Sequence, residues 1–181
     1  MLIKRKEFIQ VGSLATASLL LPKFLKAFEG SEMVPAGNKV IWHCYASGVQ
    51  IYQVTESTTV PGQYVWTFVA PSATLYLKPN FTKQVGTHYA GPTWEATLGP
   101  KKNLFVVGTK LSSVTEDVTA VPWLLLQATP NTDPGYFSNV TFIQRLYTTG
   151  GLAPATVPTA DQLGTQESIP YTAEYYFFGA E

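Results

Sequence analysis

From about residue 37 onward, apolar and polar residues alternate in short runs separated by Gly, Pro, Ser and Asn. That period-2 pattern predicts half-buried strands. "NKVIWHCYA" and "GVQIYQVTE" read as two strands split at Ser47-Gly48, the signature of a hairpin. "GQYVWTFVAP" sets Tyr64, Trp66 and Phe68 against Val65, Thr67 and Val69 and stops at Pro71. "ATLYLK", "QVGTHYAG", "TWEATLG", "NLFVVGTKL", "PWLLLQAT", "NVTFIQRLYTT" and "YTAEYYFF" follow. The count is about ten strands with breaks every eight to twelve residues or so, the spacing of a sandwich or barrel. "TAVPWLLLQA" is the one run that also suits a helix, and Pro122 with its short length favours a buried strand. The stretch from Gly150 to Pro170 reads as a long loop, a feature often tied to function. The expected architecture is all-β: one antiparallel β-sandwich or barrel over residues 35–181.

The first 30 residues follow another rule. Lys4, Arg5 and Lys6 precede the apolar run "VGSLATASLLLP", and small residues follow. Basic, then apolar, then small is the layout of an export signal. The run is shorter than the roughly 20 residues a spanning helix needs. "RKEF" before Ile9 is twin-arginine-like, with Lys6 where the second arginine belongs. Cleavage is expected between Ala27 and Ala36, giving a periplasmic or extracellular protein with no transmembrane span in the mature chain.

Charge changes the picture once that segment is set aside. The formal net charge is zero, but five of the twelve Lys and Arg residues lie at or before Lys26, so the remainder is mildly acidic. Arg145 is then the only arginine. Nucleic-acid surfaces and membrane-binding patches are basic, so neither partner is expected. Cys44 is alone, which excludes an internal disulfide and leaves stability to packing.

Several stretches also carry a resemblance. "GVQIYQ", "WTFVAPSATLY", "VGTHYAGPTWEA", "VPWLLLQAT", "FSNVTFIQRLYTTGGLAPA" and "PYTAEYYFF" resemble, in order from Pro35 to the C-terminus, the uncharacterised exported bacterial and fungal family DUF3455. The resemblance implies a secreted all-β domain of unknown function. Similar proteins usually carry cysteines where this chain has Val54 and Val157. That implies a loop after Gly150 lying against the strand of Val54, with contact between the valines in place of a bridge. Some relatives carry a malate dehydrogenase label. A dinucleotide site needs a glycine-rich turn at a helix N-terminus, and this chain has neither Gly-x-Gly nor a βαβ pattern. No cofactor is expected.

The densest chemistry lies in "THYAGPTWEAT", where His88, Tyr89, Trp94 and Glu95 flank Gly91-Pro92. Two readings stand. One is a non-catalytic binding or envelope-associated module, in which Tyr52, His88, Tyr89, Trp94, Glu95 and Arg145 form a small polar and aromatic site for a small molecule or carbohydrate. The other is a hydrolase or lyase using His88 and Glu95 as an acid-base pair. No G-x-S-x-G elbow is present, and neighbours His43 and Cys44 point to opposite faces of a strand. Two histidines and one cysteine have no metal-ligand spacing, so no metal is expected. Arg145 alternates with Ile143 and Tyr147 and needs solvent or an acid. The sequence therefore predicts Glu95 near Arg145 or His88, with Trp94 toward the core and Glu95 on the opposite face.

Overall fold

The computed structural model describes residues 34–97, 104–130 and 137–181. The expected export signal at residues 1–30 lies outside the described residues. Eight strands follow in order: β1 (Asn38–Glu56), β2 (Tyr64–Tyr76), β3 (Gln84–Tyr89), β4 (Thr93–Ala96), β5 (Leu104–Val114), β6 (Trp123–Ala128), β7 (Phe142–Gly150) and β8 (Gln166–Ala180). Each pairs antiparallel with the next, and β8 pairs back with β1 to close a barrel. Among the described residues no helix is long and apolar enough to cross a membrane.

The expected all-β antiparallel fold is present, with eight strands in place of about ten. Two expected breaks are absent, each for a local reason. Ser47-Gly48 forms no turn; it continues β1, with Gly48 opposite Ala73. A Cβ at Gly48 would meet the Ser72 carbonyl oxygen at 2.2 Å, so glycine permits close approach of two backbones here. Pro71 likewise sits within β2, opposite Gln50 and just before β2 begins to pair with β3. Its missing N–H is tolerated because that stretch has a partner on one side only.

Alternation fills the interior. Cys44 and Ala46 (β1), Leu75 (β2), Trp94 and Ala96 (β4), Val106 (β5), Leu126 and Ala128 (β6), Ile143 (β7), and Ala173, Tyr175 and Phe177 (β8) form one buried cluster. Eight strands leave an interior just wide enough for side chains to fill or to hold one small ligand. Trp42, Phe137 and Phe177 pack at ring-centroid distances of 4.9 to 5.2 Å and fill the region near the start of β1. The "PWLLLQ" run is β6, a strand as expected.

The segment after Gly150 crosses back along β1. The Val54 N–H donates to the Thr165 carbonyl at 2.9 Å, the Gly164 N–H donates to the Val54 carbonyl at 3.0 Å, and Trp66 Nε1 donates to the Thr156 carbonyl at 3.1 Å. The loop thus lies against the strand of Val54. Contact between the valines is a different matter: Val54 is buried, whereas Val157 is 76% exposed. Backbone hydrogen bonds, rather than apolar packing of Val157, tie the loop down.

Candidate ligand-binding site

The "HYAGPTWE" stretch is a tight hairpin at one end of the barrel. Gly91 adopts φ 125°, and Thr93 Oγ1 donates to the Ala90 carbonyl at 3.0 Å. Tyr89 pairs with Thr93, His88 with Trp94, and Thr87 with Glu95. Successive side chains on a strand point to opposite faces, so His88 and Trp94 go inward while Tyr89 and Glu95 go outward. Tyr89 donates its hydroxyl proton to Glu95 Oε2 at 2.9 Å on the exposed surface. The expected meeting of Glu95 with His88 or Arg145 is therefore not formed. The wall of the barrel stands between the two halves of that acid-base pair.

His88 is held as a neutral ring. Its Nδ1–H donates to the Thr93 carbonyl at 2.8 Å, which leaves Nε2 as an acceptor. The ring stacks on Trp94 with centroids 4.5 Å apart and 12° between planes, and meets Tyr175 edge-on at 5.1 Å. Burial pushes its pKa down to about 3; the Arg145 charge adds to that fall, and the Thr93 carbonyl opposes it. Trp94 is itself 1% exposed and has no open face on which a sugar could stack.

Gly108 makes room for that indole. It is an inward position on β5, and a Cβ there would sit 3.1 Å from the Trp94 ring and 3.2 Å from Leu126. The Gly108 N–H donates to the Pro92 carbonyl at 3.1 Å, tying the hairpin to the wall.

Arg145 enters the interior from β7, opposite Tyr175 on β8 and Leu124 on β6. Its Nε and Nη2 both donate to the Pro122 carbonyl, at 3.1 and 2.8 Å. That fork replaces the expected acid. His43 Nε2 and Glu174 Oε2 meet at 3.0 Å on the outer wall. Arg145 thus carries its charge against a neutral acceptor. It is also the only charged side chain among the influences on the buried His88, Tyr171 and Tyr175. Tyr147 leaves the face that it was expected to share with Arg145. It adopts φ 49° where the β7–β8 register shifts, and packs with Trp123 at 5.1 Å.

A cavity of about 260 Å³ opens beside these groups. Its polar lining comes from Gln50, His88, Lys110, Arg145 and Tyr175; its apolar lining includes Phe68, Val69, Pro71, Trp94, Leu124 and Leu126. Ala90, Gly91 and Pro92 of the hairpin also line it, and among the described residues no carboxylate does. Gln50 Nε2, Trp94 Nε1, Tyr171 Oη and Tyr175 Oη are buried and complete no hydrogen bond of good geometry, although Tyr171 makes looser contacts with Gln50 and Tyr175, and Tyr175 with Arg145. Buried groups in that state are uncommon, and each costs about 1–3 kcal/mol. Burial also raises the pKa of Tyr171 and Tyr175, so both phenols keep their protons.

The structure thus brings His88, Trp94 and Arg145 together and leaves Tyr89 and Glu95 outside. Tyr52 stands apart. Its hydroxyl donates to the Gly151 carbonyl at 2.7 Å, which anchors the start of the long loop. Sequence reasoning missed Gln50, Lys110, Tyr171 and Tyr175. The alternation Tyr171-x-Ala173-x-Tyr175-x-Phe177 was the available signal for two of them. Cys44 is fully buried, and burial pushes its thiol pKa far up, so it is no nucleophile. A more open depression of about 810 Å³ lies beside the start of β1 and the end of β8, with Lys39 as the one ionisable side chain among the described residues that line it.

A family model described as "Protein of unknown function (DUF3455)" matches residues 35–179. No curated protein and no solved structure matches the chain.

Proposed function

We propose, from the premise that the chain belongs to the DUF3455 family of unknown function, that it is a non-catalytic module that binds a small molecule in the mouth of its barrel. The observation that carries this reading is the 260 Å³ cavity with Gln50, Trp94 and Tyr175, none of which forms a hydrogen bond of good geometry, along its lining. Folding leaves those groups with at best loose side-chain contacts, and a bound molecule is the partner that would complete them. The volume lies just under the roughly 300–1,000 Å³ of sites for drug-sized ligands, which favours something smaller. A carbohydrate is the less favoured ligand, because Trp94 is buried against His88.

Catalysis by His88 and Glu95 has no support in this geometry, since the two residues point to opposite sides of β3 and β4. The barrel-mouth reading is tested by thermal-shift screening of fragments, followed by calorimetry. A Leu124→Trp variant, which fills the cavity, should lose the hits. Hits that persist in the filled variant would place binding elsewhere.

The setting of this module is read from residues 1–30: a basic, apolar, small layout supports export and work outside the cytoplasm. Cell fractionation with intact-mass measurement tests it. Cytosolic protein that retains Met1 would refute it.

A further inference from the structure

The proposed binding site has a charge preference built into it. Lys110 and Arg145 line the cavity, and among the described residues no Asp or Glu does. Arg145 is half-buried; the Pro122 carbonyl takes up Nε and one Nη2 hydrogen, Tyr175 lies close enough for a looser side-chain contact, and no carboxylate among the described residues pairs with it. A guanidinium presents five N–H donors in a fixed fork that matches a carboxylate. Removing such a cation from water without an anion is costly.

Three of the neutral groups can donate as well, while His88 Nε2 is an acceptor in the same lining. Trp94 Nε1 can only donate, Gln50 Nε2 is an amide donor, and Tyr175 offers a phenol that keeps its proton. Donors and cations without a carboxylate make a site for negative charge. The rest of the lining sets the body of the ligand. Phe68, Val69, Pro71, Leu124 and Leu126 are apolar, and a strongly hydrated phosphate ester would leave them facing a polar surface.

We infer that the barrel-mouth cavity selects a small monocarboxylate with an apolar body, its carboxylate held by Arg145 and the donors around Tyr175, and its approach favoured by Lys110 at the mouth. This rests on the barrel-mouth reading above and narrows it to one class of ligand. Lys110 is exposed, so its part is long-range attraction, which salt weakens. Arg145 lies inside the wall and acts at contact distance. The two cations should therefore separate experimentally.

The test uses matched pairs of probes: benzoate with benzamide, hexanoate with hexanamide, and 2-naphthoate with 2-naphthamide. Calorimetry and thermal shift are run on the protein and on its Arg145→Gln, Arg145→Lys, Tyr175→Phe and Lys110→Gln variants. Circular dichroism and melting curves establish that each variant is folded. The expected result is that at least one carboxylate binds at least tenfold more tightly than its amide. Arg145→Gln should abolish that preference, Arg145→Lys should restore part of it, and Lys110→Gln should mainly flatten the salt dependence. Should Arg145→Gln fail to fold, the preference of the parent protein, its loss in Tyr175→Phe and its salt dependence still decide the matter. Amides that bind as tightly as carboxylates would overturn the charge preference while leaving a binding site in place. If neither set binds and no neutral fragment does either, the site itself is refuted.

Discussion

Acidification should destabilise this protein through His88. The ring is buried and neutral, with a folded pKa of about 3 against 6.5 for a free histidine. Between those values the unfolded chain binds a proton that the folded chain refuses, so stability falls as pH falls below about 6.5. Each pH unit in that window costs about 1.4 kcal/mol. From about pH 7.5 to about pH 5, the His88 share comes to about 2 kcal/mol. The assay is urea unfolding of the protein and of His88→Asn at both pH values. The Asn side-chain N–H can stand in for Nδ1–H toward the Thr93 carbonyl, while the titration disappears. His88→Asn should be less stable at both pH values, because it lacks the stack on Trp94. Its loss between the two pH values should nevertheless be about 2 kcal/mol smaller than that of the parent. Carboxylates titrate alike in both proteins and cancel, and His43→Gln controls for the other histidine. Equal losses in parent and His88→Asn would show that the ring is charged, or open to water, in the folded state.

Three further substitutions separate structural roles from binding roles. Tyr52→Phe removes the hydroxyl that donates to the Gly151 carbonyl; it should cost about 1–3 kcal/mol and speed proteolysis of the segment after Gly150. Gly108→Val places methyl groups against Trp94 and Leu126, and overpacking of that kind should cost about 1–3 kcal/mol in chemical denaturation. Glu95→Ala removes only an exposed partner of Tyr89, so stability should stay within about 0.5 kcal/mol and ligand affinity should not change.

Alternation along the strands was readable from the sequence because each inward position needs an apolar group and each outward one does not. It placed Trp94 inward and Glu95 on the opposite face. It did not identify partners, since those come from strands far away in sequence. A lone arginine with apolar neighbours pointed to solvent or an acid, but a backbone carbonyl at Pro122 serves instead, and residue types carry no signal for where a carbonyl points. Ser47-Gly48 failed as a turn signal for a related reason. Glycine is required both where a chain reverses and where two backbones touch, and the distinction lies in the neighbouring strand. Tyr147 left its expected face because one register shift reverses the order of everything after it.

Closure of the barrel has a consequence for how the chain is made. The seam joins the first strand to the last: Asn38 lies opposite Ala180, and the Glu181 N–H donates to the Gly37 carbonyl at 3.0 Å. Seven of the eight strand pairings join consecutive strands and can form as the chain grows; the eighth must await the final residues. Until then β1 is a long unpaired edge, the kind of template that recruits foreign strands. Synthesis stalled shortly before Gln166 should therefore yield a sticky, open sheet rather than a slightly weaker barrel. The nearness of Gly37 to Glu181 also makes the seam a natural place to join the barrel's first and last strands covalently, with new ends cut at the exposed turn around Pro61 and Gly62.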